Sequence, residues 1–125
     1  MGKGKVLYIE DNIDNMTLVK RVLEVEGYEV IGAKNGTEGL AKAKTLDLDL
    51  VITDINLPDI DGYAITETLK KDTKTAHIPV IAMTANVMKK DREQIHEVGC
   101  DGYIAKPIDI DVLPDQVENF LKGKF

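Results

Sequence analysis

Leu50-Val51-Ile52-Thr53-Asp54 runs three apolar residues into a hydroxyl and a carboxylate, and the reading of this stretch decides the fold. Its apolar residues are continuous rather than alternating, which suits a strand buried on both faces, as in a parallel sheet covered by helices. The polar residue that ends such a strand then lies at an edge of the sheet.

Similar runs flank it on both sides: Val6-Leu7-Tyr8-Ile9, Val80-Ile81-Ala82-Met83 and Tyr103-Ile104-Ala105, with the weaker Tyr28 to Ala33 stretch as a fifth. The segments between them are long enough for the crossover helices that parallel connections require, and Met16, Val19 and Leu23 recur at helical intervals. Gly27 reads as the stop of that helix, Asn35-Gly36 as a turn before a helix bearing Leu40 and Ala43, and Val98-Gly99 as the end of a helix that begins after Asn86. A last helix is expected through Leu113, Val117, Phe120 and Leu121, starting near Asp111 so that Pro114 falls where its missing donor costs little. Five repeats of strand then helix, wound by right-handed crossovers, predict a doubly wound, three-layer α/β fold rather than an eightfold barrel.

With 125 residues, 43% hydrophobic and 30% charged, the chain matches one compact domain with its own core. No run approaches the roughly 20 apolar residues that span a bilayer, and Met1-Gly2-Lys3-Gly4-Lys5 leads directly into a strand, so a cytoplasmic protein without a membrane span is expected. A formal charge of −6 argues against direct nucleic-acid binding, which draws on Lys and Arg to neutralise phosphates. Cys100 has no cysteine or histidine partner at metal-site spacing and reads as a small core residue, while His77 and His96 read as surface residues.

In open parallel sheets ligands bind beyond the carboxyl ends of the strands. There the chain places Glu10-Asp11, Asp54, Thr84-Ala85 and Lys106-Pro107. Converging carboxylates repel by about 4 kcal/mol per close pair at an effective dielectric near 20 unless a cation joins them. Mg2+ is the natural candidate, since a hard ion held by carboxylates, a carbonyl and waters can also bridge a phosphoryl oxygen. Asp54 would then attack phosphorus as nucleophile, with the Lys106 charge and the Thr84 hydroxyl clamping the phosphoryl oxygens. Taken alone, Glu10-Asp11 equally fits a solvated strand-end pair with Asn12 or Asp14 capping the next helix, and Asp59 and Asp61 read as turn and cap residues.

Tyr8-Ile9-Glu10-Asp11-Asn12, Ile52-Thr53-Asp54-Ile55-Asn56-Leu57-Pro58, Met83-Thr84-Ala85-Asn86 and Ile104-Ala105-Lys106-Pro107 together resemble, in order and spacing over nearly the whole chain, the receiver domains of two-component response regulators. The resemblance implies a single receiver domain over residues 1–125, flavodoxin-like, with strand order 2-1-3-4-5 and helices on both faces. It implies Asp54 as phosphoacceptor, and Glu10, Asp11, Asp54 and the Asn56 backbone carbonyl as Mg2+ ligands. A cis Lys106-Pro107 bond is implied as well, as is a switch in which Thr84 moves inward and Tyr103 follows. Asn56 and Asn86 stand where the family tunes phosphoryl lifetime. The implied partners are a histidine kinase or phosphotransfer protein and a downstream target. The target would read the face of helix 4, strand 5 and helix 5, which carries Met88, Lys89, Tyr103 and Val112. Within the family, the chain looks most like single-domain regulators and hybrid-kinase receivers.

Three other functions compete. Phosphatases of the haloacid dehalogenase type also use an Asp nucleophile with Mg2+, but usually carry a second Asp two residues on, where this chain has Asn56, and a cap for which it has no spare length. A flavodoxin-like cofactor site would want a Gly-rich or hydroxyl-rich phosphate loop where Glu10-Asp11-Asn12 stands. A scaffold that keeps the fold for protein contacts alone would not need the full acidic set. Tyr103 also has a plainer reading, as a static core aromatic.

Overall fold

In a computed structural model describing residues 2–85 and 88–124, the five apolar runs are strands β1 (Gly4–Ile9), β2 (Tyr28–Ala33), β3 (Leu50–Asp54), β4 (Val80–Thr84) and β5 (Gly102–Ala105). They alternate with helices α1 (Ile13–Val25), α2 (Gly36–Thr45), α3 (Gly62–Lys71), α4 (Lys89–Glu97) and α5 (Leu113–Leu121). All pairings are parallel, in the order β2-β1-β3-β4-β5, as expected for a doubly wound sheet. Among the described residues no helix is long and apolar enough to cross a membrane.

Side chains alternate between the two faces of each strand, and in β3, β4 and most of β1 both faces are buried. Val6, Tyr8, Leu50, Ile52, Ile81 and Met83 pack with Val19 and Leu23 of α1 and Leu113, Val117 and Phe120 of α5. Leu7, Ile9, Val51 and Val80 pack on the opposite face with Ala43 of α2 and Ile65 and Leu69 of α3. Ile55, Ala82, Ile95 and Cys100 form a smaller cluster beneath α4. Cys100 is thus the core residue expected, and His77 and His96 are exposed.

Side-chain capping fixes where α1, α2 and α3 begin. Asn12 accepts from the Asn15 amide at 2.9 Å and Asn35 from the Glu38 amide at 2.8 Å. Asp61 accepts from the Ala64 amide at 2.8 Å. Asn35 is therefore the cap of α2 itself rather than part of a turn ahead of it. Gly27, at φ 101°, ends α1 in a left-handed conformation that a side chain would oppose. α5 starts at Leu113, two residues later than expected from Asp111, and still holds Pro114 in its first turn.

Asp59 caps at long range. Its Oδ1 accepts from the Gly36 amide at 2.8 Å, and its Oδ2 from the Thr37 amide at 2.9 Å and the Thr37 hydroxyl at 2.6 Å. The loop after β3 is thereby tied to the start of α2. The Thr37 hydroxyl bond, then the backbone amides, hold this carboxyl below the usual carboxylate range. A folded-state value below the unfolded one means the stabilisation is complete above the unfolded value of about 3.9 and is lost as pH falls through the depressed folded value. Asp59→Ala is accordingly expected to melt at lower temperature than the parent at neutral pH. The gap should close as the melts are repeated from about pH 4 downward. A gap independent of pH would mean that the carboxylate charge is not what clamps the loop.

Candidate functional site

Strand register brings the polar strand ends together. Ile9 pairs with Thr53, so Glu10 and Asp54 emerge side by side from neighbouring strands. Asp54 pairs with Met83 and Thr84 with Ala105, so Thr84 and then Lys106 follow at the same edge, where the Lys106 amide donates to the Thr84 carbonyl at 2.8 Å. The Lys106–Pro107 bond is cis. Glu10, Asp11 and Asp54 each offer a carboxylate oxygen, all within 4.8 Å of one another. They open into a cleft of about 750 Å³ that Asn12, Asn15, Asn56 and Lys106 also line.

The cleft is a charge cluster with an internal counter-ion. Lys106 Nζ lies 2.6 Å from Asp54 Oδ2 and 3.5 Å from Glu10 Oε1. Asp54 Oδ1 accepts from the Asn56 amide at 3.1 Å. Glu10, 2% exposed, accepts from the Tyr8 hydroxyl at 2.9 Å, Asn15 Nδ2 at 3.3 Å and the Asn12 amide at 3.4 Å. Burial pushes the Glu10 carboxyl above the usual range, and the hydrogen bond and charge of Asp54 push the same way against Tyr8 and Lys106. For Lys106, burial works to lower the value, but Asp54 and Glu10 outweigh it and hold the ammonium above its ordinary range. Burial, then the Glu10 charge and hydrogen bond, raise Tyr8, which stays a proton donor.

Other residues singled out from the sequence fall around this cluster. Thr84 is buried at the end of β4, and Asn56 is exposed in the loop after β3. Asn86 lies outside the described residues. Tyr103 is 37% exposed, with part of its surface covered, and the static and the switch reading of this ring both stand. Met88 and Val112 are exposed, as is Ile110 close by. Tyr8 and Asn15 were not anticipated. Period-two alternation, which sets Tyr8 on the same side as Glu10 just beyond β1, is the signal for the first, and the i+3 step from Asn12 into α1 for the second.

The donor set fits a hard divalent cation. It consists of carboxylate oxygens without sulfur or imidazole, one buried and one exposed beside Asp54, in an open cleft that admits water. The same set suits phosphoryl chemistry, pairing a carboxylate with an ammonium ion at contact distance and a hydroxyl at the neighbouring strand end.

Comparison with known proteins agrees in family and fold. A family model described as the response regulator receiver domain matches residues 6–118. The polar-differentiation response regulator DivK of Brucella anthropi is 42% identical over 116 residues, covering 93% of this chain and 94% of that one. The chemotaxis response regulator CheY4 of Vibrio cholerae superposes with a TM-score of 0.88 at 28% identity, covering 92% of this chain and 96% of its own. The receiver domain of the sensor histidine kinase PA1611 of Pseudomonas aeruginosa PAO1 gives 0.87 at 29% identity, covering 95% and 98%. That structure holds a magnesium ion coordinated in its active-site cleft.

Proposed function

The chain belongs to the response regulator receiver domain family, and from that premise we propose that residues 1–125 act as one receiver domain that takes a phosphoryl group onto Asp54. The donor is the phosphohistidine of a histidine kinase or phosphotransfer protein, the reaction needs Mg2+, and the product presents an altered surface to a partner protein. One observation carries this reading: three carboxylates converge within 4.8 Å while the Lys106 ammonium stands 2.6 Å from Asp54.

Glu10, Asp11, Asp54 and the Asn56 carbonyl are the residues that would hold Mg2+, in keeping with the ion in the PA1611 receiver. When bound, the ion supplies charge neutralisation for carboxylates and phosphoryl oxygens that otherwise repel. The remaining steps belong to the chain. An Asp54 carboxylate oxygen forms the bond to phosphorus as the bond from phosphorus to the donor nitrogen breaks, and the nitrogen keeps the electron pair. Lys106 transfers its hydrogen bond from Asp54 to a phosphoryl oxygen, and the Thr84 hydroxyl donates to another. The chain is then a phosphoacceptor that assists its own phosphorylation and dephosphorylation rather than an enzyme acting on a separate substrate. Asn56 and Asn86 stand at the sequence positions from which family members set the lifetime of the acyl phosphate, and do so here.

The output is a population shift. Drawing Thr84 toward the phosphoryl group frees space that Tyr103, 37% exposed in this structure, can occupy. The surface of α4, β5 and α5, with Met88, Lys89, Tyr103 and Val112, changes with it and is read by the downstream target.

The test is intact-mass measurement of the purified protein after incubation with acetyl phosphate, with and without Mg2+. One phosphoryl adduct that requires Mg2+ and maps to the peptide containing Asp54 is expected. A folded protein that gains no adduct would instead favour a scaffold that works without phosphorylation.

A further inference from the structure

The geometry points to Tyr8 as a positioning residue for the site: its buried hydroxyl donates to Glu10 Oε1 and holds that carboxylate in the acidic cluster, ready for a divalent cation. The inference rests on the phosphoacceptor reading above and extends it to a residue beneath the cleft.

Tyr8 is fully buried, in the core between the sheet and helices α1 and α5. A phenol there needs a hydrogen-bond acceptor. It has two, Glu10 Oε1 at 2.9 Å and the Met83 sulfur at 3.5 Å. Glu10 needs the phenol in turn. A glutamate is one methylene longer than an aspartate and has one more torsion to fix, and this one is 2% exposed at the mouth of a cleft. Its other contacts are longer: 3.3 Å from Asn15 Nδ2, 3.4 Å from the Asn12 amide and 3.5 Å from Lys106. The Tyr8 hydroxyl is thus the short anchor on Oε1, opposing the Lys106 ammonium, which draws the same oxygen toward Asp54. Oε2, with the Asn12 amide at 3.4 Å, is left the less engaged oxygen. Partners that orient a metal-binding carboxylate commonly govern affinity nearly as much as the ligands themselves.

The experiment is a double-mutant cycle in Mg2+ affinity, measured by calorimetric titration on the parent, Tyr8→Phe, Glu10→Asp and the double variant, with a melt of each without Mg2+. Tyr8→Phe keeps the ring and removes the hydroxyl. It is expected to raise the Mg2+ Kd by about tenfold or more. In the Glu10→Asp background, whose shorter side chain has withdrawn from the phenol, the same change should add little, so the two effects are not additive. A second readout is optical. The chain has four tyrosines and no tryptophan, so its near-ultraviolet absorption reports tyrosine. Mg2+ should perturb that absorption in the parent and not in Tyr8→Phe.

An unchanged Kd in Tyr8→Phe, or additive effects in the cycle, would overturn the inference while leaving the phosphoacceptor reading intact. A Tyr8→Phe chain that fails to fold would assign the hydroxyl to stability and overturn it equally. A folded parent that binds no Mg2+ would remove both.

Discussion

Asp54→Asn is expected to yield no phosphoryl adduct from acetyl phosphate at any Mg2+ concentration, while the protein keeps its fold. An amide nitrogen has no lone pair free to attack phosphorus, and the remaining carbonyl oxygen is a poor nucleophile. The fold should survive because the asparagine oxygen can still accept from the Asn56 amide, now 3.1 Å from Asp54 Oδ1. Two electrostatic changes oppose each other. The 2.6 Å pair with Lys106 is lost, and so is the repulsion between Asp54 and Glu10, each on the order of 4 kcal/mol at an effective dielectric near 20. Lys106 keeps Glu10 at 3.5 Å as a counter-ion. The melting temperature without Mg2+ should therefore change little. The response to Mg2+ should change much more: a cation that binds only the folded parent adds about 2.7 kcal/mol at a hundredfold excess over its Kd. With one of three carboxylates neutralised, the variant should gain clearly less. An adduct that persisted in Asp54→Asn would place the acceptor elsewhere and sink the assignment.

Much of this site could be read from the chain because a parallel sheet turns sequence order into position. Once β1, β3, β4 and β5 are parallel neighbours, Glu10, Asp54, Thr84 and Lys106 must share an edge, whatever the side chains between them do. The strand limits were read short for a related reason. Apolar runs mark buried faces, but ladder hydrogen bonds ignore polarity, so β4 continues into Thr84 and β1 starts at Gly4. Contacts made at a distance were not legible. Asp59 reads locally as a turn residue, and nothing near it reveals that its partners are Gly36 and Thr37. The Lys70 ammonium likewise bonds the Ile78 carbonyl at 2.9 Å and Asp101 at 2.8 Å, tying α3 to the segments that lead into β4 and β5, and nothing beside it in the sequence names those partners. Tyr8 reads as one more core residue until its hydroxyl is placed against Glu10.

Gly62→Ala is expected to destabilise the protein by about 3 kcal/mol, at the upper end of ordinary overpacking, and to lower its melting temperature by about 10 °C. Gly62 opens α3, and its amide donates to the Ile55 carbonyl at 2.9 Å, which draws the helix start down onto the end of β3. A methyl group there would lie 2.5 Å from the Asp54 carbonyl oxygen and 2.8 Å from Ile55 Cα. Both are backbone atoms, one in the last residue of β3 and one in the residue that follows it, so no rotamer change can relieve the contact. Either α3 lifts away, exposing part of the core around Ile65 and Leu69, or the end of β3 shifts and takes the Asp54 carboxylate and the Asn56 carbonyl with it. Both routes are expected to slow the proposed transfer onto Asp54 in a chain that still has that residue, which an intact-mass time course would show. A second substitution separates backbone from side-chain crowding. Ile55→Val trims the Cδ1 atom, which would stand 3.0 Å from the new methyl, but leaves the 2.5 Å approach to the Asp54 carbonyl untouched. It should therefore fail to rescue either stability or rate. Recovery in the double variant would mean that side-chain packing, rather than close backbone approach, requires glycine at the start of α3.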